Sequence, residues 1–431
     1  MKSNNLALYG GPKLIKKKFK KYISIDKKDI DAAIKVLKKG TLSDFLGEKS
    51  PKFYGGYHVQ KFERYLEKYF KVKHAITTNS WTSGLIAAVG AIGTEPGDEI
   101  IVTTWTMCAS ATAILHWNAI PIFADIEKKT FNIDPESIEK NITKKTIAIL
   151  AVDIFGHPAN MKVINKIAKK HNLKVITDNA QSIGTYYNKR YSGTHGDIGG
   201  FSLNCHKHIN TGEGGILITN NNEYAQRLRH IRNHAEAVVS SNINNFTPNM
   251  IGHNFRLGEI ESAIGIEQIK KLKNKVNRRQ IIASKLTKAL SKLPGIKTPL
   301  IEKNCTHAFY IYALLIDEKI TKVNKSKIYN ALVAEGLDNI LDKYFNLHLL
   351  PMYQKKFAYG TKGFPWTAEF TRKNISYKKG ICPNAENLNK DKLILLELCV
   401  HEYSEKEVDL VIKCFQKVWS NLKFLRRGKI I

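Results

Sequence analysis

The chain has 431 residues, 43% of them hydrophobic, enough for a large core and two domains within one unit. Its formal charge of +30 is spread along Lys- and Asn-rich stretches such as LKNKVNRRQ rather than gathered in one module; this favours a solvated lysine-rich surface over a nucleic-acid face, and no nucleic-acid motif is present. Six scattered cysteines without a C-x-x-C pair indicate neither a zinc site nor a disulfide framework, and no apolar run approaches the roughly 20 residues of a membrane span.

The N-terminal MKSNNLALYGGPKLIKKKFKKY is basic but lacks the apolar core of a signal peptide, so a cytoplasmic protein with no membrane insertion is expected. From about residue 70 to 220, short strand-like runs alternate with helical stretches. AITTNS leads into TSGLIAAVGAIG, EIIVTTW into ASATAILHWN, and IPIFADI and TIAILAVDIFG precede the helix NMKVINKIAKKHN and the strand LKVITDNA. The alternation predicts an α/β domain with a mostly parallel sheet. Ligands of such sheets sit beyond the carboxyl ends of the strands, where TTNS, TTWT, AVDIFG and TDNAQ fall. After residue 220, EIESAIGIEQIKKLKNKVNRRQIIASKLTKALSKL has the period of one long helix, and Pro294 and Gly295 punctuate the chain. The expected division is a large domain over residues 1–289, N-terminal segment included, and a smaller C-terminal α/β domain over 290–431. Phe345 to Arg372 reads as an irregular insertion; with Gly40 to Gly56 it is expected to shape a substrate pocket. FLRRGKII at the C-terminus is the best local candidate for a surface-binding tail.

Several residues at these strand ends can carry chemistry. Asp178 in TDNAQS fits either a carboxylate facing a protonated ring nitrogen or a plain helix cap. Gln181, three residues on, fits a bond to a phenolic oxygen or to a loop backbone. Lys207 lies in a polar turn between the strand GGFSL and the glycine-rich GEGG. Partial burial there would depress its pKa and favour amine nucleophilicity. Ser202 can donate to a phosphate. Ser80 is a plausible N-cap, and the helix start at Ser80, Thr82 and Ser83 is a candidate phosphate cradle.

The run DNAQSIGTYYNKRYSGTHGDIGGFSLNCHKHINTGEGG resembles the signature of the DegT/DnrJ/StrS family of sugar aminotransferases. Further similar pieces are NSWTSGL, PGDEIIV, IPIFADIE, FGHPANM and IGHNFRLGEIESAIGIEQIKKL, together spanning roughly residues 55 to 275. The resemblance implies a fold-type-I enzyme using pyridoxal 5'-phosphate, a homodimer with a shared active site. It implies that Lys207 carries the cofactor as a Schiff base, that Asp178 pairs with the pyridinium nitrogen and that Gln181 contacts the ring hydroxyl. Ser202, Thr82 and the Trp81 amide would hold the phosphate, with Asn254 reaching it from the partner subunit. Met107 falls where the family often has a ring stacked on the cofactor, Trp105 being the fallback. The chain departs from the family at Trp81, usually a small residue, and at Asp153, often His, which would alter substrate recognition. Some relatives have His in place of the lysine and act as dehydratases; here His206 and His208 flank Lys207, but the count back from Gly212 lands on the lysine. The implied reaction moves an amino group, with L-glutamate as donor, to a nucleotide-linked keto-sugar for surface glycan or aminosugar synthesis. The alternatives are a keto-cyclitol acceptor and a noncatalytic regulatory or binding protein on the same fold. No metal is implied.

Overall fold

The computed structural model describes residues 5–238 and 251–427; the last four residues of FLRRGKII lie outside them. The apolar runs form β1 (His74–Thr78), β2 (Glu99–Thr103), β3 (Ile120–Ala124), β4 (Thr146–Val152) and β5 (Lys174–Asp178). A short hairpin follows, β6 (Tyr186–Tyr187) with β7 (Arg190–Tyr191), and then β8 (Ile198–Ser202) and β9 (Gly215–Thr219). Apart from the hairpin, these strands make one sheet in the order β1-β9-β8-β5-β4-β2-β3. β9 is antiparallel to both of its neighbours and the remaining pairs are parallel. Strands such as EIIVT and IPIFA are buried along their whole length, as expected for a sheet covered on both faces. The helix Trp81–Ala91, apolar nearly all round, is sunk into that cover. The helix Met161–Lys170 buries Met161, Ile164 and Ile167 and turns its lysines outward.

The helix Glu259–Leu290 is unbroken over 32 residues and joins two cores. Its first half packs Ile266, Ile269, Leu272 and Val276 with Phe62, Leu66 and Phe70. Its last turns bring Ile282, Leu286 and Leu290 into a second core. That core is built on an antiparallel sheet of β10 (Ile296–Lys297), β11 (Ile311–Ile316), β12 (Ile340–Leu341) and β13 (Leu393–Glu397), ordered β10-β11-β13-β12. The helix Glu405–Ser420 covers it, opened by a capping box between Ser404 and Glu407.

Two expectations change. The first part of the N-terminal segment belongs physically with the small sheet, not with the large domain: Leu6, Ile15 and Phe19 are buried in the second core. Glu335 binds the amides of Ala7 and Leu14, and the Tyr22 amide bonds to Val400. The insertion near Phe345 to Arg372 covers the β2–β3 edge of the large sheet more than it lines a pocket. Arg372 pairs with buried Glu99 at 2.6 Å, the Tyr359 hydroxyl donates to Leu115, and nearby Tyr377 donates to Pro121. The residues at its leading end, Tyr344 to His348, reach the strand ends: Tyr344 meets Gln181, Asn346 accepts from Trp105, and Leu347 and His348 bond to Thr104 beyond β2. Among the described residues, no helix is long and apolar enough to cross a membrane.

Candidate active site

Strand register sets the site. Thr78 of β1, Gly215 of β9 and Ser202 of β8 lie on one rung across three adjacent strands. Gly200 of β8, Asp178 of β5 and Val152 of β4 form a second rung. The chain leaves β1, β4, β5 and β8 at these rungs, so Ser80 to Thr82, Asp153, Asp178 and Ser202 to Lys207 gather at one end of the sheet. Gly215 is where the backbones come closest: a Cβ there would stand 2.5 Å from the Ser80 carbonyl oxygen. That close approach explains the last glycine of GEGG.

Ser80 caps the helix Trp81–Ala91, its Oγ accepting from the Ser83 amide at 3.0 Å. The first amides of the helix, those of Trp81 and Thr82, have no partner within it, and Thr82 is exposed. Ser202, buried on the same rung as Thr78, accepts from the Asn204 amide at 3.2 Å. Hydroxyls and helix-start amides thus lie at the ends of nearby strands, a placement an anion cradle requires.

Asp178 is 4% exposed. Its Oδ1 accepts from the Trp81 indole at 2.7 Å and from the Ala180 amide at 3.1 Å, and its Oδ2 accepts from Ser110 Oγ at 2.7 Å. Lys207 is half-buried, its ammonium 4.3 Å from the centre of the Tyr310 ring. Burial pushes its pKa down from 10.5 to about 8, against the opposing pull of the Asp178 charge. Gln181 presents its Nε2 3.4 Å from the Tyr344 hydroxyl, because its Oε1 is taken at 2.7 Å by the Phe155 amide. Phe155 has a left-handed backbone (φ 59°), rare for a bulky residue, which turns that amide onto Gln181.

Asp153 does not face a substrate pocket. It is 1% exposed and clamps the loop that carries Asp178 and Gln181. Its carboxylate accepts from Asn179 Nδ2 at 2.6 Å, Ser182 Oγ at 2.8 Å and the Ala159 amide at 2.8 Å. Burial raises its pKa from 3.8 to about 6 in spite of these donors. Trp105 is excluded as a stacking ring: it is fully buried, packs on Phe131 at 5.9 Å and donates to Asn346 at 2.7 Å. Met107 is 58% exposed. His208 is buried and holds the Ala308 carbonyl at 2.8 Å, with its pKa pushed down to about 3 by burial, so it is a neutral structural group beside the lysine. Asn254 is exposed; its Oδ1 accepts from Arg256 Nε at 2.7 Å and its carbonyl from Asn79 Nδ2 at 3.4 Å. Tyr310, Tyr344 and Ser110 join the site without any sign in their local sequence. Only the fold brings them to the strand ends.

Residues 32–415 match the sequence model of the DegT/DnrJ/EryC1/StrS aminotransferase family. The spore coat polysaccharide biosynthesis protein SpsC of Bacillus subtilis is 32% identical over 358 residues, covering 82% of this chain and 89% of that one. GDP-perosamine synthase of Escherichia coli O157:H7 is 34% identical over 302 residues, 70% of this chain and 80% of the other. Among solved structures, DesV of S. venezuelae in complex with a ketimine intermediate superposes with a TM-score of 0.74 at 25% identity, over 93% of this chain and 95% of that chain. A desolvated lysine, a buried carboxylate and an anion cradle at one sheet end are what a phosphorylated pyridine aldehyde needs, and the match runs through all three. The chain belongs to the DegT/DnrJ/EryC1/StrS aminotransferase family and is a pyridoxal-phosphate-dependent aminotransferase.

Proposed function

We propose that this enzyme transfers an amino group from an amino-acid donor, L-glutamate, to a nucleotide-linked keto-sugar, in the cytoplasm, as a step in surface glycan or aminosugar synthesis. The observation that carries the site assignment is the placement of Lys207, desolvated over Tyr310 and within the field of Asp178, at the strand ends beside the cradle. The residues present fit pyridoxal phosphate. Ser202, Thr82 and the Trp81 amide would take the phosphate, Gln181 Nε2 the ring oxygen, and Asp178 the ring nitrogen. The cofactor supplies an electron sink for the carbanion formed during amino transfer.

The chain's own residues do the rest. With a pKa of about 8, a useful fraction of Lys207 is a neutral amine near neutral pH. It can attack a carbonyl and then carry a proton at Nζ. Tyr310 and Tyr344, both largely sheltered, wall the site against water. An overall charge of +30 attracts an anionic nucleotide-sugar. A homodimer with a shared site fits two features. The helix Lys27–Lys39 leaves Ile30, Ile34 and Leu37 exposed in one stripe at i, i+4 and i+7, and Asn254 is presented at the surface.

The test is to load the enzyme with pyridoxamine phosphate and add nucleotide keto-sugars one at a time. Return of the aldehyde-form absorbance with one of them is expected. Return only with a keto-cyclitol would overturn the substrate class.

A further inference from the structure

The Trp81 side chain is committed to one polar contact. The residue opens the helix Trp81–Ala91 and is 6% exposed. The indole has a single polar atom, and that atom donates to Asp178 Oδ1 at 2.7 Å. Room for the ring is made by glycines. A Cβ at Gly84 would come within 2.8 Å of the indole, and one at Gly200 within 2.3 Å. Gly84 sits inside a helix, where glycine costs about 1 kcal/mol relative to alanine. At Gly84 the ring is the nearest obstacle, followed by Thr78 Oγ1 at 3.3 Å, whereas Gly200 is also hemmed in by the Ile216 carbonyl at 2.1 Å.

The lone pairs of the carboxylate are then accounted for unequally. Oδ1 accepts twice, from Trp81 and from the Ala180 amide. Oδ2 accepts once, from Ser110, whose hydroxyl is in turn linked to Thr106 Oγ1 at 2.7 Å. Among the described residues one acceptor position is left, and it is on Oδ2.

We infer that Trp81 is a positioning residue: its indole N–H, with the Ala180 amide, occupies Oδ1 of Asp178 and turns Oδ2 to receive the cofactor's ring nitrogen. The inference rests on the reading that Asp178 pairs with that nitrogen. Trp81→Phe removes the donor and keeps an aromatic ring. Gly84→Ala in the Trp81→Phe background fills the space the larger ring leaves and restores helix propensity, without restoring the N–H. A purely structural role is therefore repaired in the double variant, and a positioning role is not.

Two measurements decide it. In apo-protein labelled with 15N-tryptophan, the indole N–H resonance that disappears in Trp81→Phe should move in Asp178→Asn; a resonance that stays put overturns the contact. In the cofactor-loaded Trp81→Phe/Gly84→Ala protein, the dissociation constant for pyridoxal phosphate should rise about tenfold, as for loss of one charge-assisted hydrogen bond. The pH midpoint of the bound cofactor's absorbance should shift upward, because a less well paired ring nitrogen leaves less positive charge in the ring. Wild-type affinity and midpoint in the double variant overturn the proposal. If instead the wild-type protein forms no borohydride-reducible linkage at Lys207, the assignment of the site fails, and the proposal with it, while the indole measurement still reports the contact by itself.

Discussion

Asp153 accepts the side-chain amide of Asn179 at 2.6 Å, one residue past Asp178, and the Asp153 amide donates to the Asp178 carbonyl at 3.0 Å. The end of β4 thereby fixes the loop leaving β5. Asp153→Leu strips the acceptor from Asn179, Ser182 and Ala159 together, and each buried donor left unpaired costs about 1–3 kcal/mol. The expected result is a marked loss of urea stability and a lower kcat. Asp153→Asn should be far milder. Among the described residues the buried Asn179 Oδ1 has no partner, so turning that amide lets it accept from the new one.

The same residue gives a pH dependence. Its folded pKa is raised from 3.8 to about 6, so the native state holds a proton that the unfolded chain releases. Wild-type stability is penalised as pH rises through that window, and the penalty is complete above about 6. Relative to wild type, Asp153→Asn should therefore gain stability between pH 4 and pH 6.5, roughly the span of that titration. Urea titrations of both apo-proteins across the window check this; a constant difference would show that Asp153 does not titrate there.

The strand ends were legible because a buried parallel sheet writes its strands as short apolar runs and leaves polar residues where they stop. Asp178 and Ser202 stand where such runs stop, and the register brings β5 and β8 to one end of the sheet. The role of Asp153 was misjudged because a carboxylate at a strand end looks the same whether it faces a ligand or a neighbouring loop. Trp105 and Met107 could not be separated by sequence, since only packing decides which of two nearby residues is swallowed by the core. The N-terminal segment was grouped by chain proximity, but Leu6, Ile15 and Phe19 follow the apolar surface of the small sheet. The Trp81 indole contact spans 97 residues of sequence and has no local sign.

Lys207 should make the apo-protein less stable than it would otherwise be near neutral pH. Its folded pKa is depressed from 10.5 to about 8, so below pH 8 the fold holds an ammonium it disfavours. That penalty fades as pH rises from about 8 to 10.5. Lys207→Met apo-protein should be more stable than wild type at pH 7, with the gain shrinking toward pH 10. Denaturation at several pH values measures it; equal stability at pH 7 would mean the ammonium is well solvated. Lys207→Ala should also lose the borohydride-reducible linkage and net turnover, while cofactor still binds through its phosphate.

Asp178→Asn tests the charge with little change of shape. The amide oxygen can keep the Trp81 and Ala180 donors, and Ser110 can accept from the new amide nitrogen in place of donating. The fold should hold its melting temperature. What is lost is the negative partner of the ring nitrogen, an electrostatic contribution of about 3 kcal/mol or more, so the amino-transfer half-reaction should slow at least about 100-fold. Stopped-flow spectroscopy of the half-reaction gives the answer. A near-wild-type rate would reduce Asp178 to a structural acceptor.

Asn254 decides whether one subunit makes a whole site. In its own chain it lies against Asn79, next to the cradle, since Asn79 donates to the Asn254 and Phe255 carbonyls at 3.4 and 2.9 Å. Its Oδ1 is occupied by Arg256, and among the described residues its Nδ2 donates to none. That free donor can serve its own cradle or, as the family resemblance implies, the partner's. Subunit exchange separates the two. Lys207→Ala and Asn254→Ala proteins are each prepared and mixed under conditions that exchange subunits. If the site is shared, each heterodimer has one site with both wild-type residues and one site with neither. Activity should then return at cofactor concentrations too low to load the Asn254→Ala homodimer. If Asn254 serves its own subunit, each heterodimer site carries one defect, Lys207→Ala in one and Asn254→Ala in the other, and no activity returns. Absence of recovery, with exchange demonstrated and a cofactor-affinity defect measured in the Asn254→Ala parent, would place Asn254 in its own subunit's site.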